Sequence, residues 1–300
     1  MYTTLITADE LSQLIAQGRP LQVFDCSFEL MQPKAGREQY ETLHIAGARH
    51  ADLDAALSEK RAGAATASGG RHPLPTPEHF AQWLTQAGVN AQTQVVVYDR
   101  QNSGFCGRLW WMLKWVGHEA VAVLDGGLAA WQGAGGAVES GAGPVGAPAD
   151  PPFVPTAPKA RLLTVDQVAQ ALVQPGQTQT QTQTQTQTQT LIDARAQARY
   201  RGEVEPLDPV AGHIPGALNR PSGLNMLPDG RFKPAEQLRQ EFQALLGQCD
   251  PASVVHQCGS GVSANVNLLA MEIAGLGRAP LFAGSWSQWC SDPARPVAKG

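Results

Sequence analysis

The sequence predicts an α/β protein with two similar domains in tandem, each a mostly parallel sheet flanked by helices. Three observations lead to this prediction. Short Val- and Leu-rich runs alternate with stretches of helical period, the same order of runs and motifs occurs twice, and 300 residues suffice for two domains of about 150 residues each. Short apolar runs suit strands buried on both faces, and the interleaved helices can cover both faces of a parallel sheet.

The first repeated element is a short apolar strand that ends in an aspartate. Asp25 closes the run LQVFD, and Asp193 closes the run LID. The words HIAGA and HIPGA follow at almost equal distances, since from Asp25 to His44 is 19 residues and from Asp193 to His213 is 20. This spacing indicates one structural unit used twice.

The second repeated element is an apolar strand followed by a turn and a helical stretch. The run VVVY precedes Asp99, and the run VVHQ precedes Cys258. A tryptophan follows at matching distance, 32 residues after Asp99 and 31 after Cys258, so the repeat places Asp99 opposite Cys258. The helical stretches near these strands are residues 77–87, 109–116, 235–246 and 265–273.

The domain boundaries follow from the repeat and from a change in composition. Residues 136–160 are rich in Gly, Ala and Pro and have no apolar period, which is typical of a linker. We therefore expect a first domain at residues 1–135 and a second at residues 161–300. Residues 177–190 are seven Gln–Thr pairs without apolar side chains, and this tract predicts a disordered surface insertion.

The composition limits the classes of function. Hydrophobic residues make up 43% of the chain, and a net charge of −4 without a Lys or Arg run offers no surface for nucleic acid or an anionic membrane. No apolar run reaches the ~20 residues that span a bilayer, and the first ten residues do not resemble a signal peptide, so we expect a cytoplasmic protein. The five cysteines form no CxxC pair and no metal-ligand spacing, which predicts reduced thiols and no bound metal.

Cys258 is the strongest candidate for a reactive residue. It follows an apolar strand and opens the glycine-rich word CGSGVSA before a helical stretch. Backbone N–H groups of such a turn and the positive end of the helix dipole both favour a thiolate. The first domain has Asp99 at this position and no thiol, so we expect it to form a wall of the second domain's pocket. Cys106, seven residues further on, is predicted to pack in the core.

The word CGSGVSA at residues 258–264 resembles the active-site loop of the two-domain sulfurtransferases of the rhodanese family, and most closely its 3-mercaptopyruvate sulfurtransferase branch. Ser263 stands where that pattern usually has Thr, so the hydroxyl is kept. The resemblance extends to DAR at residues 193–195, to GHIPGA at residues 212–217 and to AGSWSQW at residues 283–289. It therefore covers most of the second half of the chain.

The resemblance implies a double-displacement sulfur transfer. Cys258 would take a sulfur atom from a small-molecule donor, with 3-mercaptopyruvate as the best candidate, and would carry it as a persulfide. A thiol such as thioredoxin or a small thiol, or cyanide, would then accept the sulfur. The reaction would need no metal and no organic cofactor.

The resemblance also assigns candidate roles around the thiol. Arg199 falls on the position of a family arginine that binds the carboxylate of the donor. A proton relay proposed for the mercaptopyruvate branch matches Asp54, His72 and Ser260, which with Cys258 form the expected catalytic set. The backbone of the loop would hold the persulfide and the developing charge through Gly259, Gly261, Val262 and Ser263.

The sequence departs from the family pattern in one region that matters for the donor. Mercaptopyruvate enzymes often carry a second arginine before the GHIPG word, whereas residues 203–210 contain none. Arg201 and Arg108 are the candidate replacements. Arg195, close to Asp193, predicts an ion pair at the strand end, and His256 predicts a packed strand residue.

Other functions remain open at this point. Thiosulfate-using rhodaneses usually carry cations directly after the cysteine, and the Gly259 and Ser260 found here favour a different donor. A CX5R phosphatase would need an arginine at the position of Ala264. A persulfide carrier for a partner protein and a catalytically silent scaffold are further alternatives, although Cys258 argues against the scaffold.

Overall fold

A computed structural model describes residues 1–172 and 190–300. The predicted Gln–Thr insertion at residues 177–190 lies outside the described residues except for Thr190. Among the described residues, no helix is both long and apolar enough to cross a membrane.

The first half of the chain alternates strands and helices in the predicted order. Its elements are β1 (Leu5–Ile6), α1 (Ala8–Ala16), β2 (Leu21–Asp25), α2 (Ala35–Thr42), β3 (His44–Ile45), β4 (Arg49–His50), α3 (Pro77–Gln86), β5 (Gln94–Tyr98), α4 (Cys106–Trp115), β6 (Val121–Leu124), α5 (Gly127–Gly133) and β7 (Val138–Glu139).

The second half repeats this order with shorter strands. Its elements are α6 (Val165–Ala171), β8 (Leu191–Asp193), α7 (Gln197–Tyr200), β9 (Leu218–Asn219), α8 (Ala235–Leu246), β10 (Val255–Gln257), α9 (Ala264–Ile273) and α10 (Ser285–Trp289), with single 3-10 turns at Ser222–Asn225 and Pro251–Ser253.

The repeat extends to the caps of the helices. The Thr7 hydroxyl accepts a hydrogen bond from Glu10 N at 3.3 Å, and the Glu10 carboxylate accepts one from Thr7 N at 2.8 Å. Thr164 and Gln167 form the same capping box at the start of α6. Such reciprocal bonds satisfy two backbone donors that the first turn of a helix leaves unpaired.

The two sheets have the same strand order. In the first domain the order is β1-β6-β5-β2-β4, and every pairing is parallel. In the second, the parallel order β10-β8-β9 is extended by single parallel bridges from Leu281 to His256 and from Leu281 to Leu162. With the helices that flank each sheet, this confirms the predicted fold class.

The register confirms the alignment of Asp99 with Cys258. Asp25 on β2 pairs with Tyr98 on β5, and Asp193 on β8 pairs with Gln257 on β10. Asp99 and Cys258 are the next residues, each at the carboxyl end of a central strand. Parallel α/β sheets bind their ligands at this edge.

The domains pack through the helices that follow these two loops. Every residue of α4 is buried, because one face of the helix covers its own sheet and the other contacts α9. A Cβ on Gly107 would lie 3.5 Å from Asn265 Cβ, which shows how closely the two helices approach. Buried Lys114 also binds Glu272 across the interface at 2.9 Å. The two domains therefore share one continuous apolar core.

The predicted linker runs along the surface of the first domain. Within residues 136–160, β7 pairs antiparallel with β3, Thr156 N donates to Val116 O at 3.0 Å, and Lys159 N donates to Lys114 O at 2.8 Å. The sequence pattern predicted a linker, but it did not predict that main-chain hydrogen bonds hold this segment against the first domain. The boundaries at residues 135 and 161 stay a prediction.

Candidate active site

Cys258 begins a tight turn between β10 and α9. Cys258 N donates to Ser285 Oγ at 3.1 Å, and Cys258 O accepts from Trp286 N at 3.0 Å, so both main-chain groups are tied to the start of α10. Gly261 has a φ of +74°, and a Cβ there would lie 2.2 Å from Ala283 O. Glycine is therefore required at this position of the turn.

The loop stabilises the ionised form of the Cys258 thiol. Only 2% of the residue is exposed, and burial by itself would raise its pKa. Hydrogen bonds from the Ser263 hydroxyl and from the backbone N–H groups of Ser260, Ala264 and Val262 outweigh burial, so the pKa is lowered from its ordinary value. Low-pKa cysteines in such surroundings are the reactive ones.

In the other buried cysteines, the pKa of the thiol is raised and not lowered. Burial raises the pKa of Cys26 and of Cys106 well above the ordinary value, and it also raises the pKa of Cys290. Cys106 is fully buried at the start of α4, as expected for a packing residue.

The structure brings the three predicted relay residues together from different parts of the chain. His72 Nδ1 lies 2.8 Å from Ser260 Oγ, although the two residues are 188 positions apart. His72 Nε2 lies 3.6 Å from Asp54 Oδ1, which is too long for a hydrogen bond. Asp54 has a closer partner in Lys60, whose Nζ is 2.5 Å away.

His72 is neutral in this environment. Burial is the main cause that lowers its pKa to about 2, and the positive charges of Arg108, Lys60 and Arg71 act in the same direction. A neutral imidazole can accept a hydrogen bond from the Ser260 hydroxyl and orient it.

These pKa shifts predict the pH dependence of Cys258 alkylation. A lowered thiol pKa keeps the thiolate populated as the pH falls, so we expect a midpoint below the ~8.5 of a free cysteine. His72 adds no inflection near pH 6.5, since it stays neutral. Iodoacetamide labelling quantified on the Cys258 peptide by mass spectrometry measures this profile, and a midpoint at or above 8.5 would contradict it.

Arg108 binds main-chain carbonyls and not a carboxylate, which was the role considered from the sequence. The residue is fully buried, and its Nε and Nη2 both donate to Leu57 O. Its Nη2 also donates to His72 O at 2.8 Å, and its Nη1 donates to Gly261 O at 3.0 Å. The guanidinium is therefore committed to main-chain carbonyls and is not available to a carboxylate. Arg108 therefore does not replace the missing second arginine. Arg201 is exposed and faces Glu203 at 3.8 Å.

Arg199 lies beside the thiol loop. A Cβ built on Gly259 would lie 3.5 and 3.6 Å from Arg199 Nη1 and Nη2. Arg199 binds Glu205 at 2.6 Å and approaches Asp208 Oδ2 at 3.3 Å. The same Cβ would lie 3.3 Å from Nη2 of Arg71, a first-domain residue that the sequence analysis did not select although it directly precedes His72.

Two nearby residues have structural roles, as predicted. Arg195 binds Asp193 with Nη2 at 2.6 Å from Oδ2, and it also donates to Gly212 O at 2.7 Å, so it fastens the strand end to the next loop. His256 is fully buried, with Nε2 2.9 Å from Met271 Sδ. Among the described residues, no three His, Cys, Asp or Glu side chains form a group that could hold a metal ion.

In the corresponding loop of the first domain, the Asp99 side chain occupies the space inside the turn. The Asp99 carboxylate accepts hydrogen bonds from the N–H groups of Gln101, Ser103, Phe105 and Cys106 at 2.8–2.9 Å. The first three donors stand two, four and six residues after Asp99, as Ser260, Val262 and Ala264 stand after Cys258. Asp99 thus occupies a cradle that in the second domain surrounds a sulfur atom.

Both halves of the chain match one known family of domains. Residues 7–134 and 177–292 match the family model of the rhodanese-like domain. A protein of Pseudomonas aeruginosa named "Probable 3-mercaptopyruvate sulfurtransferase" is 45% identical over 298 residues, which cover 99% of this chain and 98% of that protein. Thiosulfate sulfurtransferase of Cricetulus griseus is 32% identical over 299 residues, covering 96% and 92% of the two chains.

A solved structure shows the same architecture. The crystal structure of SseA from Escherichia coli, presented with the "Rhodanese" fold of 3-mercaptopyruvate sulfotransferases, matches with a TM-score of 0.75 and 30% identity. The match covers 95% of this chain and 100% of that chain.

Proposed function

Since this chain belongs to the rhodanese family and is a sulfurtransferase, we propose that it takes sulfur from 3-mercaptopyruvate and carries it on Cys258. The observation that carries this proposal is the position of a buried thiol at the carboxyl end of β10, in a turn that is tied to the start of α10 at Ser285 and Trp286. The Ser263 hydroxyl and the N–H groups of Ser260, Val262 and Ala264 in this turn lower the pKa of the thiol. A thiolate held in this way is a ready nucleophile.

In the first step, the Cys258 thiolate attacks the sulfur of the donor. A new S–S bond forms, the C–S bond of the donor breaks, and its electron pair leaves with the carbon as the enolate of pyruvate. The backbone N–H groups that hold the thiolate also hold the persulfide, so its negative charge needs no metal ion.

The Ser260–His72 pair manages the proton of the donor thiol. The Ser260 hydroxyl, oriented by neutral His72 at 2.8 Å, can accept this proton while it passes its own proton to the enolate carbon, which yields pyruvate and leaves Ser260 unchanged. Asp54 lies 3.6 Å from the other ring nitrogen of His72. This arrangement supports Asp54, His72 and Ser260 as the relay.

In the second step, a thiolate or cyanide attacks the outer sulfur of the persulfide and restores Cys258. Thioredoxin, a small thiol and cyanide are the proposed acceptors. The groups around the sulfur are the N–H groups of Ser260, Val262 and Ala264 and the Ser263 hydroxyl, and not the backbone of Gly259 or Gly261. Gly261 lets the turn pass close to Ala283.

Arg199 is the residue that favours 3-mercaptopyruvate as the donor. Its guanidinium lies beside Gly259, within reach of the carboxylate of a donor whose sulfur is at Cys258. Thiosulfate is the second candidate, because the Cricetulus griseus relative carries that name and an arginine also attracts a sulfonate-like group.

Steady-state kinetics with cyanide as acceptor test the donor assignment. We expect kcat/KM for 3-mercaptopyruvate to exceed that for thiosulfate by about tenfold or more, because only mercaptopyruvate uses both Arg199 and the proton relay. A preference for thiosulfate would overturn the donor assignment. Activity with neither donor would favour a persulfide carrier that receives sulfur from a protein.

Ser260→Ala is the test of the relay. We expect it to slow persulfide formation from mercaptopyruvate by about 100-fold. The rate with thiosulfate should change far less, because thiosulfate has no thiol proton to transfer. Ser291→Ala, which changes an exposed serine, is the control. Rapid-quench measurement of pyruvate release gives these rates, and an equal loss with both donors would contradict the relay.

A further inference from the structure

Two arginines from different domains converge beside the reactive thiol. A Cβ on Gly259 would lie 3.3 Å from Arg71 Nη2 and 3.5 Å from Arg199 Nη1. Both guanidiniums therefore face the residue that follows Cys258. Arg71 belongs to the first domain and Arg199 to the second, so this pair of charges exists only when the domains are assembled.

The position of Arg71 is set by the active-site loop itself. Arg71 N donates to Ser287 Oγ at 3.0 Å, and Ser287 N donates to Gly259 O at 2.9 Å. A Cβ on Gly70 would lie 2.5 Å from Gly284 O, so this stretch of the first domain approaches α10 more closely than another residue would allow. These contacts fix the position of Arg71 relative to the thiol loop.

A carboxylate already lies between the two guanidiniums. Asp208 Oδ1 binds Arg71 Nη1, and Asp208 Oδ2 lies 3.3 Å from Arg199 Nη2. The Asp208 side chain is only 4% exposed, whereas Arg71 and Arg199 are 26% and 18% exposed. The site is therefore open to solvent on the arginine side, and its two guanidiniums suit one carboxylate group.

We propose that Arg71 and Arg199 together form the site for the donor's carboxylate, and that Asp208 is the carboxylate that occupies this site until the donor displaces it. This inference rests on the proposed function, because it assumes a mercapto-oxoacid donor. Arg71 then supplies the second arginine that residues 203–210 lack. Glu205, which binds Arg199 at 2.6 Å, stays in place and orients Arg199 during the exchange.

A donor without a carboxylate distinguishes carboxylate binding by Arg71 from a purely structural role of this residue. 1-Mercaptopropan-2-one is the same mercaptoketone with a methyl group in place of the carboxylate. Arg71→Gln should raise KM for mercaptopyruvate by about tenfold or more, and Arg71→Lys by less, since lysine keeps the charge but not the fork of donors. KM for the methyl ketone should change by less than about twofold. Asp208→Asn should lower KM for mercaptopyruvate, because it removes the competing carboxylate.

The control is an arginine that also joins the domains but lies elsewhere. Arg278 donates to Glu119 of the first domain at 2.9 Å, and Arg278→Gln should leave both KM values unchanged. If Arg71→Gln impaired both donors equally, Arg71 would be a structural ion-pair partner and the proposal would fail. The proposal would also fail if Asp208→Asn raised KM as much as Arg71→Gln does, since Asp208 would then hold the arginine rather than compete for it.

Alkylation of Cys258 tests the same site without sulfur transfer. Iodoacetate carries a carboxylate and iodoacetamide is its neutral counterpart, so the ratio of their rates at Cys258 reports carboxylate recognition. We expect Arg71→Gln to lower this ratio about tenfold and Asp208→Asn to raise it, with no change in Arg278→Gln. An unchanged ratio in Arg71→Gln overturns the proposal. Because this readout needs no turnover, it remains decisive even if the wild type does not use mercaptopyruvate.

Discussion

Cys258→Ser should abolish sulfur transfer from mercaptopyruvate and from thiosulfate alike, with a loss on the order of 10³-fold or more. A serine hydroxyl is far less acidic than a thiol and cannot form the S–S bond of the persulfide. The loop should tolerate the change, because its hydrogen bonds to the side chain come from backbone N–H groups and the Ser263 hydroxyl. Pyruvate release and thiocyanate formation measure the loss.

Two other cysteines serve as controls for this substitution. Cys249 is exposed and Cys106 is fully buried in α4 with a raised pKa. Cys249→Ser should retain full activity, and Cys106→Ser should retain a reactive Cys258 even if stability falls. Substantial turnover by Cys258→Ser would show that sulfur does not pass through this residue.

Arg108→Met should destabilise the protein by about 3 kcal/mol or more, because three buried carbonyls would each lose a charge-assisted donor worth ~1–3 kcal/mol. These carbonyls belong to Leu57, His72 and Gly261, so the change also loosens the contact between the first domain and the thiol loop. Urea unfolding at pH 7 measures the free energy of unfolding.

The same variant should also raise the pKa of Cys258. The Arg108 guanidinium is buried close enough to interact with the Cys258 thiolate, and the interaction favours the charged state of both groups. Arg278→Gln, which removes a more exposed interdomain ion pair, should cost less than about 1 kcal/mol and leave the thiol unchanged. Equal stability losses in the two variants would contradict the role assigned to Arg108.

The repeat made the fold predictable from the sequence. Asp25 and Asp193 end equivalent strands, and the two sheets use the same register, so the alignment of Asp99 with Cys258 followed from spacing alone. The turn chemistry at Cys258 was equally local, since glycines and a following helix determine where backbone N–H groups point. The sequence pattern therefore predicted the architecture and the place in the fold of the candidate nucleophile.

Contacts between the domains were not predictable in the same way. The sequence separates His72 from Ser260 by 188 residues, and only the family resemblance connected them. Arg71 has no signature in the sequence, because its contacts are with Ser287 and with the surroundings of Gly259 in the other domain. Arg108 was considered for a carboxylate, but its partners are main-chain carbonyls, which leave no signature in a sequence. The roles of the remaining site residues stay predictions until they are tested.

Cys258 should become a persulfide by taking sulfur from mercaptopyruvate. Intact-protein mass spectrometry after one equivalent of mercaptopyruvate, without acceptor, detects this persulfide. We expect a gain of one sulfur atom located on the Cys258 peptide, with one pyruvate released per protein and the sulfur lost on addition of cyanide. Pyruvate release with no sulfur on Cys258, or sulfur found on another cysteine, would contradict it.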